Sequence, residues 1–214
     1  MKKGVYSNET KEKWINFKPK LTGKELLINS YQIMQRWEDN YMKSLSSIAT
    51  SRGGNVLEVG FGMGISAGYI QRSKKIKSHV IIECHPDIIA NAKKMFASEM
   101  EDGRLKILKG FWEDITIKLK GGSFDGILFD SCPLDSGVDF FQFLPFFKEA
   151  YRLLRDGGIF TYFSDETKEI SALHRKELTN AGFKNIKSKV CHVHPPKHCK
   201  YWKHNTIITP IIIK

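Results

Sequence analysis

At 214 residues the chain is long enough to bury one sizeable core and short enough to form a single domain. Its 41% hydrophobic and 27% charged content excludes a disordered chain, and no apolar run approaches the ~20 residues that a membrane span needs. The net charge of +11 admits a polyanionic partner such as RNA, but the lysines are scattered, and a solvated basic surface explains them as well.

The opening residues, MKKGVYSNETKEKW, lack the apolar stretch of a signal peptide, and Cys84, Cys132, Cys191 and Cys199 have no C-x-x-C spacing. Free thiols in a cytoplasmic protein are the expectation. Residues 1–28 are polar and weakly periodic, interrupted by Pro19 and Gly23. From Asn29 to Thr50, Ile33, Met34, Trp37, Tyr41, Leu45 and Ile48 recur at three- to four-residue spacing, which predicts an amphipathic helix closed by Gly53-Gly54. Strands and helices then alternate. Strands are predicted over 56–59, 80–84, 105–108, 124–129 and 159–163, and helices over 65–72, 86–100, 140–154 and 168–181. Two β-rich runs, 186–193 and 206–213, flank Pro195-Pro196 and read as a hairpin. The pattern is α/β, with a mainly parallel sheet. Such sheets bind ligands beyond the carboxyl ends of their strands, so the loops to search follow residues 59, 84, 109, 129 and 163.

The first of these loops lies in NVLEVGFGMGIS, where glycines stand at 60, 62 and 64. A phosphate-binding loop would need a Lys-Ser/Thr pair, which is absent. The dinucleotide fingerprint would need glycine at position 65, where a side chain crowds helix against strand; here it is Ile65. An E-x-G-x-G-x-G turn suits S-adenosyl-L-methionine, which has an amino group and a sulfonium and no phosphate. Its glycines admit close backbone approach, and Glu58 can organise the turn or hold the amine. Glu83, ending the next strand, can accept two ribose hydroxyls, although an acid there also fits a dinucleotide. In Phe111-Trp112-Glu113-Asp114, a backbone N–H with an acidic or aromatic side chain would read an adenine edge, whereas Trp112 could equally be core.

After the fourth strand comes FDGILFDSCPLDS. Asp130 ends an apolar strand, where an unpaired carboxylate is costly, so it has a chemical task or caps the next segment. The N/D-P-P-Y/F pattern of amide-like amine methylation is absent. Cys132 precedes Pro133, a poor match to a cytosine-methylating nucleophile. A carboxylate here suits a guanidinium, which holds its proton tenaciously and offers a fork that carboxylates grip in bidentate fashion.

The stretches IMQRWEDNYM, GGNVLEVGFGMGIS, VIIECHPD, GFWEDI, FDGILFDSCPL, RLLRDGGIFTYF and PPKHCKYW with ITPIIIK together resemble the guanidinoacetate N-methyltransferase family. The resemblance implies a Rossmann-like class I methyltransferase with a seven-stranded, mainly parallel sheet, helices on both faces and a C-terminal β-hairpin. It implies one domain over 1–214, with a lid segment and helix over 1–52 and the cofactor-binding core over 53–214. It places Asp130 and Glu38 as the catalytic carboxylates, Glu38 holding the guanidino group. Cofactor contacts fall at Met34 and Met42 on one helix face, Gly60, Phe61, Gly62, Met63, Gly64, Ile65, Ser66, Glu83, Cys84, Trp112, Glu113 and Asp130. Trp14 matches an aromatic that closes on the ligands.

The chain departs from the family around the acceptor. Where the family holds the acceptor's carboxylate through backbone N–H groups stand Asp165 and Glu166, and Cys132 replaces an aromatic. The expected substrate is a small guanidino compound: guanidinoacetate-like, agmatine, arginine or a derivative. Two carboxylates repel an anion, which points toward a neutral or positive far end. Arginine in a peptide or protein is the alternative, and RNA a weaker one. A cofactor-binding protein without catalysis is disfavoured because both Glu38 and Asp130 are present. CHVHPPKHC lacks a structural zinc spacing, so no metal is expected. No membrane contact is expected, and a homodimer stays open.

Overall fold

The computed structural model describes residues 6–134 and 144–214. The N-terminal region is more ordered than its weak periodicity suggests. It forms α1 (Asn8–Asn16), capped by the Ser7 hydroxyl, and an antiparallel three-stranded sheet of β1 (Pro19–Leu21), β2 (Glu25–Ile28) and β3 (Tyr31–Gln35).

The helix expected over 29–50 is corrected here. Asn29 and Ser30 take positive φ, 47° and 65°, which closes a tight β2–β3 hairpin. Residues 31–35 therefore pair as a strand. A single 3₁₀ turn, Arg36–Glu38, leads into α2 (Asp39–Ala49). Met34 and Met42 consequently do not share a helix face: the first is on β3 and the second on α2.

The main sheet contains β4 (Gly54–Val59), β5 (Ile76–Glu83), β6 (Leu105–Lys109), β7 (Phe124–Phe129), β8 (Leu154–Tyr162), β9 (Asn185–His192) and β10 (Thr206–Ile213). Their order is β6-β5-β4-β7-β8-β10-β9; the first five run parallel, and β10 pairs antiparallel with both neighbours. All six residues of β7 are buried, as befits a central strand covered on both faces. One face packs Val56, Ile81 and Leu128 with α2, α3 (Ile65–Arg72) and α4 (Pro86–Met95). The other packs Leu57, Ile127 and Phe160 with α7 (Phe146–Leu153) and α8 (Ala172–Ala181), among stacked and edge-on aromatic rings. α2 lies so close to the sheet that a Cβ at Gly126 would meet the Ala49 carbonyl oxygen at 1.8 Å. Among the described residues no helix is long and apolar enough to cross a membrane.

Smaller boundary differences have local causes. The helix expected over 86–100 breaks at Phe96 (φ −127°), leaving α5 (Ala97–Glu101) as a separate turn. The one expected over 140–154 begins at Phe146 after Pro145, and residues 140–143 lie outside the described residues. It passes directly into β8 at Leu154, and positive-φ Gly157 falls within the register shift between Leu154 and Ile159 of that strand. α8 starts at Ala172 because the Ser171 hydroxyl accepts from the His174 N–H. The segment FWEDI forms a short helix, α6 (Trp112–Thr116).

Candidate active site

The carboxyl ends of β4, β5, β6, β7 and β8 converge on two cavities. Gly60, Gly62 and Gly64 carry φ of 89°, 53° and 73°, the region that side chains avoid. A Cβ at Gly60 would sit 1.9 Å from the Asp130 carbonyl oxygen, and one at Gly62 2.8 Å from the Met34 sulfur. The turn is held from beneath and beside. Buried Glu58 accepts from the Ser66 hydroxyl through one oxygen and lies 2.9 Å from His79 Nε2 through the other. Glu83 accepts from the backbone N–H of Phe61 (3.0 Å), Cys84 (2.8 Å) and His85 (2.8 Å), which welds the turn to the end of β5. A carboxylate has about four lone-pair sites, so Glu83 keeps capacity for a ligand hydroxyl.

The first cavity is a cleft of about 770 Å³, open-mouthed space included, walled by Gly60, Gly62, Glu83, Cys84, Gly110, Trp112 and Glu113. α1 covers it. Trp14 is 3% exposed and faces the cleft, Lys11 Nζ pairs with Asp114 at 2.8 Å, and His85 Nε2 lies 2.8 Å from the Phe17 carbonyl oxygen. Met34 reaches in from β3, and its sulfur accepts from the Met63 N–H at 3.3 Å. Trp112 is both wall and core, since it meets the Phe129 and Phe146 rings edge-on. Both carboxylate oxygens of Glu113 are buried without a hydrogen-bond partner, and burial raises its pKa. A ligand that presents an N–H donor there would satisfy it.

The second cavity, about 590 Å³, is walled by Gln32, Ile33, Phe129, Phe163, Asp165 and Tyr201. It shares Asp130, Ser131 and Cys132 with the first, so Asp130 stands at the junction. Burial, with Glu58 adding repulsion, raises the Asp130 carboxyl to about 7. Glu38 is 2% exposed at the end of the 3₁₀ turn. Burial, then repulsion from Asp130, raises it to about 8, against hydrogen bonds from the Tyr201 hydroxyl and the Gln35 N–H (2.8 Å). Glu38 thus lies within electrostatic reach of Asp130, but it walls neither cavity and meets the second one through Tyr201. Tyr201 also stacks on Trp37 with centroids 5.9 Å apart.

The other expected residues are distributed unevenly. Met42, Phe61, Met63, Ile65 and Ser66 are buried supports of the turn and of α2, and do not wall either cavity; nor does Gly64. Asp165 walls the second cavity and sits 3.2 Å from His174 Nε2, whereas Glu166 turns toward His174 Nδ1 at 4.0 Å. Sequence reasoning missed Tyr201 and His85, which are distant in the chain from the groups they contact. The spacing P-P-x-x-C-x-Y is the one local signal that could have drawn attention to the first.

This sheet order, with its glycine turn at the first crossover, defines the class I methyltransferase fold. A family model described as guanidinoacetate N-methyltransferase matches residues 5–214, and the chain belongs to that family of S-adenosylmethionine-dependent methyltransferases. The chain is 33% identical over 140 residues to protein arginine N-methyltransferase 2 of Yarrowia lipolytica, covering 62% of this chain and 28% of that protein. The namesake from Gibberella zeae is 31% identical over 170 residues, covering 72% and 38%. The chain thus spans about a third of the length of the curated relatives it matches. Among solved structures, spermidine synthase from Thermotoga maritima superposes with a TM-score of 0.67 at 13% identity, covering 92% of this chain and 72% of that one. A putative sarcosine dimethylglycine methyltransferase from Galdieria sulphuraria gives 0.52 at 15% identity, covering 71% and 63%. At these identities the structural likeness speaks to the fold.

Proposed function

We propose that the chain binds S-adenosyl-L-methionine in the first cavity and methylates the guanidino group of a small molecule held in the second. The observation that carries this reading is the buried Asp130 carboxyl, a wall of both cavities where they meet, with buried Glu38 held behind the second cavity by its hydrogen bond from Tyr201. The residues present fit the cofactor: backbone of the glycine turn at Gly60 and Gly62 in the cleft wall, Glu83 with spare acceptor capacity, and an unpartnered Glu113 that suits the amino group of an adenine. Met34, Cys84 and Trp112 would complete the walls. When bound, the cofactor supplies an electrophilic methyl group on sulfur, and S-adenosyl-L-homocysteine is left after transfer.

The chain's own residues then have separable tasks. Two carboxyls with raised pKa values repel one another when ionised, and a guanidinium between them relieves that repulsion. Glu38, fixed by Tyr201 and Gln35, grips the fork and limits rotation. Asp130 accepts the proton that leaves the attacking nitrogen; a pKa near neutrality lets it do so and pass the proton on. Aim contributes much of the acceleration in a displacement at carbon. α1 and Trp14 exclude water from the cofactor side.

A second reading, methylation of arginine in a peptide or protein, is favoured by the names of the relatives. The deciding experiment is transfer of labelled methyl from S-adenosylmethionine to guanidino compounds and arginine peptides, with wild type beside Asp130→Asn. Methylation of a small guanidino compound, lost in the variant, supports the proposal. Methylation of peptides alone favours the second reading, and no transfer to any guanidino acceptor sinks both.

A further inference from the structure

Resting on the guanidino methylation reading, we propose that the second cavity selects an acceptor whose far end carries a second cation, and that Asp165 is the residue that selects it. The described walls of this cavity contain two carboxylates, Asp130 and Asp165, and no lysine or arginine. Lys200 precedes Tyr201 in the chain, but it is exposed and does not wall the cavity. If Asp130 and Glu38 take the guanidinium, Asp165 is the charged wall left for the other end.

The partner of Asp165 does not reverse its sign. His174 Nε2 is 3.2 Å away, but the ring is buried, which pushes its pKa down. Its other nitrogen faces the Tyr162 hydroxyl at 3.2 Å and Glu166 at 4.0 Å. Burial also raises the Asp165 carboxyl. With the imidazole neutral, the pair is anionic or, if it holds one proton, neutral. Neither state offers a distal carboxylate a counter-charge, and the anionic state attracts an ammonium across a half-buried wall.

The test is a matched pair of acceptors, agmatine and 4-guanidinobutyrate, of similar length and opposite terminal charge. For wild type, kcat/KM is expected to favour agmatine by about tenfold or more, as one close charge contact of this kind would give. Asp165→Asn should narrow that ratio mainly through KM for agmatine, with circular dichroism checking that the variant folds. The wild-type ratio stands as a test even if the variant does not fold. Equal use of the two, or preference for the carboxylate, overturns this inference and leaves guanidino methylation intact. Use of arginine peptides with neither small compound overturns the cationic small-molecule acceptor. Transfer to no guanidino acceptor overturns the functional reading with it.

Discussion

Glu38 is a carboxyl kept in a place that suits chemistry better than stability. It is buried, and its pKa is raised from 4.5 to about 8. A carboxyl that titrates higher folded than unfolded takes up a proton on folding. The stability it contributes is present below its unfolded pKa and is lost as pH rises through the folded one. Glu38→Gln should therefore raise stability at pH 8 by about 1–3 kcal/mol, while cutting kcat/KM for the guanidino acceptor by about a hundredfold. Thermal melts of the ligand-free protein beside methyl-transfer rates check both halves. Tyr201→Phe should act in the opposite electrostatic sense. It removes a hydrogen bond that lowers the Glu38 pKa, so the acidic limb of kcat/KM should move to higher pH, with a loss of about tenfold at pH 7. Unmoved pH profiles in that variant would deny Tyr201 a role at Glu38. The pair is also a measure of what sequence conceals. Glu38 and Tyr201 are 163 positions apart, and nothing local to either residue announces the other. Asp130, at the end of an apolar strand, announced itself.

Among the elements, α1 and the β1–β3 sheet were the least legible. Ile33 and Met34 stand at helical spacing from Trp37 and Tyr41, and periodicity alone cannot tell a short strand that runs into a helix from one longer helix. The two positive-φ residues that break it, Asn29 and Ser30, are not glycines, so the turn lacked its usual signal. α1 was invisible for another reason. Of its nine residues, Lys11 and Trp14 are buried, too few to make a periodic pattern. Its docking rests on the Lys11–Asp114 pair, the His85–Phe17 contact and Trp14. Lys11→Ala should weaken cofactor binding several-fold and speed amide hydrogen exchange across residues 8–17, with the sheet core unchanged. Cofactor titration by calorimetry and exchange mass spectrometry would read the two effects. By contrast the alternating strands and helices from 54 to 129 were legible because each strand is a short apolar run ended by glycine or a charged residue.

Across the whole molecule, the two cavities meet at a titrating carboxyl, and pH should act on both. With Asp130 at about 7 and Glu38 at about 8, the proposed grip of the ionised pair on a guanidinium predicts that kcat/KM climbs as pH rises through that range and flattens above it. A pH-independent rate from 6 to 9 would remove these groups from acceptor binding. The fold itself was read correctly as a mainly parallel sheet with a terminal hairpin, since the connections are short and the strand pattern is strong. The sign of the acceptor wall needed coordinates, because Asp165 gains its meaning from a histidine nine residues on and from the absence of lysine or arginine among the described walls.

Asp130 as a wall common to both cavities has a thermodynamic corollary. A cation arriving in either cavity favours the ionised carboxylate, and an ionised carboxylate is a better host for a cation in the other. The two ligands are then coupled through one proton, and the coupling is reciprocal: whatever factor the first adds to the affinity of the second, the second returns to the first. Such synergy fades at alkaline pH, where Asp130 is already ionised, and the protein behaves there as two independent receptors.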